Sequence, residues 1–193
     1  MNKFIKLGIF TLAVLVMQAC TSAHLKPVAN PSQMMKPQSG KALVVFMRPS
    51  SFGGAIQSTV FDGETYISTV SANSRVAYQA EPGEHMFMVI GESADFMKAT
   101  LNANKTYYAL VSPRVGFWKA RFSLKPVRKN HDPAELAEWL ESTTLMEPNE
   151  QGFAWAKENA ADISNKRDEY LPQWKGKSAA AQDEQTLFPG DGR

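Results

Sequence analysis

Between Lys41 and Arg128 the chain is cut into short apolar runs by turn-forming clusters at intervals of about eight to twelve residues, the pattern of an all-β sandwich or barrel. The runs ALVVFMR (42–48), IQSTVFD (56–62), TYISTVS (65–71), RVAYQA (75–80), HMFMVIG (85–91), FMKATLN (96–102), TYYALVS (106–112) and FWKARFSL (117–124) are read as strands. Asp62-Gly63, Ser71 to Ser74, Pro82-Gly83, Asn102 to Asn104 and Pro113 to Gly116 separate them. Asp-Gly suits a type I′ hairpin flanked by Phe61 and Glu64, and Pro-Gly suits a type II turn. The expected fold is mainly β: an antiparallel β-sandwich over 41–128, with a two-helix extension over 129–175.

Side-chain alternation assigns faces. In the last run Trp118, Ala120, Phe122 and Leu124 share one side, and Lys119, Arg121, Ser123 and Lys125 the other, so one face is core and one basic. ALVVFM and HMFMVI are apolar on both sides and require cover on both. Asp132, Pro133 and Glu135 form a helix start, predicting a helix to about Thr143 with Leu136, Trp139 and Leu140 as its stripe. A second helix is predicted from Asn149 to Tyr170, with Phe153, Ala156, Ala160, Ile163 and Tyr170 at helical spacing and Pro172 ending it. This extension is expected to dock on the sheets. Residues 176–193 offer little to bury and are expected to be disordered.

The N-terminus carries an address. Asn2, Lys3 and Lys6 precede an apolar run from Leu7 to Met17, the length of a signal-peptide core and too short for a bilayer span. Cys20, the only cysteine in 193 residues, follows directly after Ala19. The arrangement resembles a bacterial lipobox, with Met17 and Gln18 in place of the usual leucine and small residue. The resemblance implies a signal peptide at 1–19, cleavage before Cys20, and acylation of that cysteine with fatty acid such as palmitate. The alternative is an ordinary signal peptide cut near Ala19 or Ala23. Thr21 in place of aspartate implies sorting to the outer membrane, with the domain facing the periplasm. Residues 20–40, rich in Pro, Ser, Asn and Gln, read as a flexible tether, with His24 solvated.

Loss of Lys3 and Lys6 takes the 21 basic residues to 19, equal to the 19 acidic ones. A mature chain with no net charge is not expected to seek nucleic acid. The charge is segregated: 41–128 holds 10 basic and 6 acidic residues, and 129–193 holds 7 and 13. Glu135, Glu138 and Glu141 are therefore candidates to face Lys119, Arg121 and Lys125, or else both surfaces are solvated.

RVAYQAEPGEHMFMV, LNANKTYYALV and FSLKPV together resemble the bacterial lipoprotein family known as domain of unknown function 2846. The turn at Pro82, Gly83 and His85 also resembles PEGA-type envelope modules with a transthyretin-like or immunoglobulin-like sandwich. The resemblance covers about 41–128 and implies a fold and a compartment. It brings no activity.

Chemistry is sparsely written. Three histidines (His24, His85, His131) without metal-ligand spacing and no second cysteine give no metal site, and no cofactor or catalytic motif is present. His85, at a strand entry, is expected to make a local hydrogen bond. RPSSFGGAIQ (48–57) reads as a flexible strand connection, since no helix follows to stabilise an anion. Phe52, Phe117 and Trp155 fit no apolar stripe. Phe117, Lys119, Arg121 and Lys125 form the candidate binding surface, for an envelope protein or glycan. The expected function is a non-enzymatic binding or structural module anchored to the membrane through Cys20. The alternative is an envelope hydrolase using Asp62, Glu64 or Asp95.

Overall fold

The computed structural model describes residues 22–114 and 121–193. Among these residues eleven strands form two stacked sheets, so the protein is mainly β, a sandwich with helices added. Sheet one runs β1 (Leu25–Pro27), β10 (Thr144–Pro148), β5 (Ser74–Ala80), β2 (Ala42–Arg48), β8 (Thr106–Arg114), β9 (Arg121–Pro126). Sheet two runs β11 (Thr186–Leu187), β7 (Ala94–Leu101), β6 (Gly83–Ile90), β3 (Ser58–Asp62), β4 (Thr65–Val70). Most neighbours are antiparallel. The pairs β2–β8, β5–β10 and β7–β11 are parallel, each joined by a long crossover rather than a hairpin.

Alternation explains the layers. Val44 and Phe46 of β2 meet Phe87 and Val89 of β6 between the sheets, where Phe46 and Phe87 pack edge to face with centroids 5.2 Å apart. Leu43, Val45 and Met47 point outward and are covered by Leu136 of α2 (Pro133–Ser142). On the far side Phe61, Met88, Ile90 and Phe96 are covered by Ile163 and Trp174 of α4 (Ala160–Lys175), which follows α3 (Glu150–Glu158). The result is four layers, helix, sheet, sheet, helix. Burial of each large apolar side chain contributes about 1.5–3 kcal/mol. The helix start is as read: the Asp132 carboxylate accepts from the Ala134 N–H at 2.9 Å, with Pro133 opening α2.

Several local expectations are corrected. The tether is not loose over its described part: β1 pairs antiparallel with β10, Leu25 is buried, and the Asn149 amide donates to the Ala23 carbonyl at 2.8 Å. A one-turn helix, α1 (Pro31–Met34), follows, and Met35 packs beside Leu136. His24 lies with its ring 5.5 Å from that of Trp155. Such pairing was invisible locally because β1 supplies only three residues, and its partner lies over a hundred positions away.

The predicted second helix is two, broken at Asn159, and α4 passes through Pro172 for a further turn. That last turn buries Trp174, whose indole N–H donates to the Gln185 side chain at 3.1 Å, and both contacts offset the missing backbone bond. The tail is folded as well: α5 (Ala179–Asp183), then β11 on the free edge of β7, then a 3₁₀ turn over Pro189–Asp191. Leu187 is fully buried, Asp191 nearly so, and Arg193 exchanges backbone hydrogen bonds of 3.0 Å with Thr106. The first hairpin turns at Gly63 and Glu64, flanked by Asp62 and Thr65, with positive φ only at Gly63 (+56°). That is the type II′ pattern, one residue beyond the type I′ expected. Pro82-Gly83 makes no hairpin: it carries the chain from β5 in sheet one to β6 in sheet two, and Gly83 takes φ +128° as it enters β6.

Candidate functional site

Of the candidate surface, Arg121 and Lys125 lie exposed on β9, the edge of sheet one, while Phe122 and Leu124 point into the core. Phe117, Lys119 and Cys20 lie outside the described residues. Ser123, expected on the wet face, is buried, because Gln185 of the tail covers that part of the strand. Lys125 lines an open groove with Arg114, Ser123, Lys177, Glu184 and Gln185. Beside it the buried Asp95 carboxylate is held by Arg114 at 3.2 Å, Lys177 at 3.6 Å and the Gln185 amide at 2.6 Å.

The acidic helix face is elsewhere. Glu135 pairs with His131 at 3.1 Å, and among the described residues no ion pair joins Glu135, Glu138 or Glu141 to Arg121 or Lys125. The part of the 129–193 extension that lies along β9 is instead the tail, where Lys177, Glu184 and Gln185 share a groove with Lys125, and Lys119 lies outside the described residues.

The three acids considered for hydrolysis have separate partners. Asp62 accepts from Tyr78 Oη at 3.0 Å and bonds His85 Nδ1 at 2.7 Å. Glu64 is exposed and pairs with Arg167 of α4. Asp95 is engaged as above. Among the described residues no three metal-ligating side chains converge.

One cavity takes in Glu64, one of the three acids considered for hydrolysis. A cleft of about 480 Å³ opens between the β3–β4 hairpin and the helices α3 and α4. Its floor is Phe61, Tyr66 and Ile163, its lip is Phe153, and Lys157 and Arg167 stand at its rim. Phe61, Tyr66 and Phe153 form an edge-to-face series with centroid separations of 5.8 and 5.4 Å. Burial pushes the Tyr66 phenol pKa upward, which keeps it neutral. Phe153 had been assigned to a buried stripe, yet it is 54% exposed. Its ring borders the cleft and packs edge to face on Tyr66 without being covered by a further element.

The cleft combines an apolar, aromatic floor with the charged side chains Glu64, Lys157 and Arg167, a lining of the kind that ligand pockets have. No helix among the described residues is long and apolar enough to cross a membrane. No protein family, curated protein or solved structure matched the chain when it was compared with them.

Proposed function

We propose that this chain is a lipid-anchored cell-envelope protein, held at the outer membrane through Cys20, whose sandwich acts as a non-enzymatic binding module. The resemblance of 41–128 to the domain of unknown function 2846 lipoproteins belongs to the same proposal. The observation that carries the binding role is the apolar cleft of Phe61, Tyr66, Phe153 and Ile163. Its partner is an envelope protein or glycan that offers an apolar face to Phe153 and an acidic or hydroxyl group to Lys157. The hydrolase alternative draws little support, since Asp62, Glu64 and Asp95 are each tied to different partners, whereas a glycosidase needs two carboxyls across one cleft, about 5–10 Å apart.

The test is a photoreactive amino acid placed at Phe153 in intact cells, with the same group at Glu141 on α2 as control. A discrete crosslinked product at 153, lost on Tyr66→Ala and missing at 141, is expected. Equal labelling at both positions would remove the cleft as the binding site.

A further inference from the structure

We infer that the end of the sandwich carrying the 49–57 loop is a membrane-contact face, with Phe52 and Ile56 seated in the interface of an anionic bilayer. This rests on the lipid-anchor reading of Cys20. The loop joins β2 to β3 and contains no charged residue from Pro49 to Gln57. Phe52 is 58% and Ile56 42% exposed.

These side chains are displayed by a built support, not by a slack connection. Arg48, fully buried, donates to the carbonyls of Ile56 at 2.7 Å, Phe52 at 2.9 Å and Gly53 at 2.8 Å. Its guanidinium lies 4.9 Å from the centroid of the Phe122 ring. Gly53 takes φ +63°, and the Ile56 N–H closes back onto its carbonyl at 2.9 Å. The loop therefore turns three carbonyls inward onto one cation. Those three carbonyls, and the Phe52 and Ile56 N–H groups, need no water when the loop meets an interface.

Ser22, the first described residue, lies at this same end. Ser22 and Leu25 line one cleft of about 490 Å³ together with Ser51, Gly54 and Ala55 of the loop. Cys20 precedes Ser22 by two residues, a reach of at most about 7 Å. The flexible tether expected over residues 20–40 is, from Leu25 onward, folded onto sheet one, so it gives no long stand-off from the membrane. A lipid on Cys20 holds the bilayer against the loop.

Charge agrees. Because β2 and β8 run parallel, Arg48 and Arg114 close the same end of sheet one, and Arg114 stands opposite Arg121 across β8–β9. Arg121 is exposed, and Arg114 is half exposed even with Asp95 as its partner. Ile56 lines a cleft with Glu92, Asp162 and Lys166, so the cationic side of this end is the one formed by Arg114 and Arg121. Apolar side chains on the same end as exposed guanidinium groups suit an interfacial anchor that prefers anionic lipid.

The test tethers the chain from Thr21 onward, which includes every residue of the three apolar clusters, by an N-terminal histidine tag to nickel-chelating lipid. The vesicles contain phosphatidylglycerol and phosphatidylethanolamine. The tag replaces the acyl anchor, so the result does not depend on Cys20, whose modification is read separately by fractionating Cys20→Ser cells. A bimane label on Phe52→Cys is expected to be quenched by nitroxide lipids, while the same label on Asn102→Cys, exposed at the opposite end, is not. Equal quenching at both sites, or none at 52, overturns the proposal, and the latter leaves the loop to a protein partner. Without the tag, Phe52→Ser with Ile56→Ser is expected to lower vesicle partitioning about tenfold or more. Equal partitioning of the unsubstituted chain into pure phosphatidylcholine overturns the anionic preference.

Discussion

His85 presents one ring nitrogen to a carboxylate and the other to a carbonyl: Nδ1 lies 2.7 Å from Asp62 Oδ2 and Nε2 lies 2.8 Å from the Glu81 oxygen. Both acceptors are satisfied only by the imidazolium, which donates from both nitrogens. The hydrogen bond to Asp62 leads the causes that raise the His85 pKa above its usual value, and burial opposes it. Tyr78 faces the same carboxylate, and burial together with Asp62 raises its pKa far above the usual phenol value. The Glu81 carboxylate nearby is paired with Lys41. The cluster ties β3, β5 and β6 together at the end of the sandwich away from the 49–57 loop.

A raised folded-state pKa stabilises the protein fully below the unfolded value of about 6.5, and that stabilisation is lost as pH rises through the folded value. The melting temperature is therefore expected to fall as pH increases from about 6.5 into the range above it. His85→Gln should melt lower at pH 6 and lose this slope. Parallel curves for the two proteins across the window would count against the doubly donating histidine.

Arg48 supports the loop between β2 and β3 through three carbonyls. Arg48→Met should destabilise the protein by roughly 2–4 kcal/mol, since three carbonyls lose a charged donor. Arg48→Lys should recover little, as an ammonium lacks the planar fork. Chemical denaturation measures both, and near-native stability of the lysine variant would contradict the geometry.

Gly152 sits in the first turn of α3, where an added Cβ would lie 2.6 Å from Tyr66 Oη and 2.8 Å from the His24 carbonyl oxygen. Glycine to alanine inside a helix ordinarily stabilises by up to about 1 kcal/mol. Here the backbone of the N-terminal segment blocks the methyl, so Gly152→Ala should destabilise by roughly 1–3 kcal/mol. Combining it with Tyr66→Phe should restore part of the loss. A stabilised Gly152→Ala protein would mean that the N-terminal segment does not pack there.

The tail is fastened by Asp191, whose carboxylate accepts from Arg128 at 2.9 Å, from the Phe188 N–H at 2.9 Å and from the Lys129 N–H at 3.3 Å. Asp191→Ala should cost roughly 1–3 kcal/mol by leaving those donors unpaired. Ending the chain at Gly176 should do more, because it uncovers the edge of β7 that β11 occupies and so invites aggregation. Unchanged melting of the shortened chain would show the tail to be dispensable.

Cys20→Ser should leave an unprocessed precursor without acyl label. Metabolic labelling with a fatty acid and membrane fractionation check this. Normal maturation and membrane retention of the variant would sink the lipid-anchor proposal.

The strands of 41–128, their two apolar faces and the capped start of α2 were legible in the sequence because each depends on neighbours two to four residues away. Side-chain period placed Phe46 and Met47 on opposite faces of β2 without knowledge of what covers either. Asp132 capped α2 for the same local reason.

What tertiary structure decided was everything carried by long separations. Pairing of β1 with β10, insertion of Thr144–Pro148 into sheet one and closure of β7 by Thr186–Leu187 each unite segments about seventy or more positions apart. A strand of two or three residues has no periodicity to read, and it forms only when an unpaired edge offers its backbone groups a partner. Asp62 and His85 were likewise visible as a turn aspartate and a strand-entry histidine, but their union required β3 and β6 to lie side by side. Local propensity determined the strands and which sides were apolar. The free energy of covering open edges and apolar outer faces determined where the two ends of the chain went.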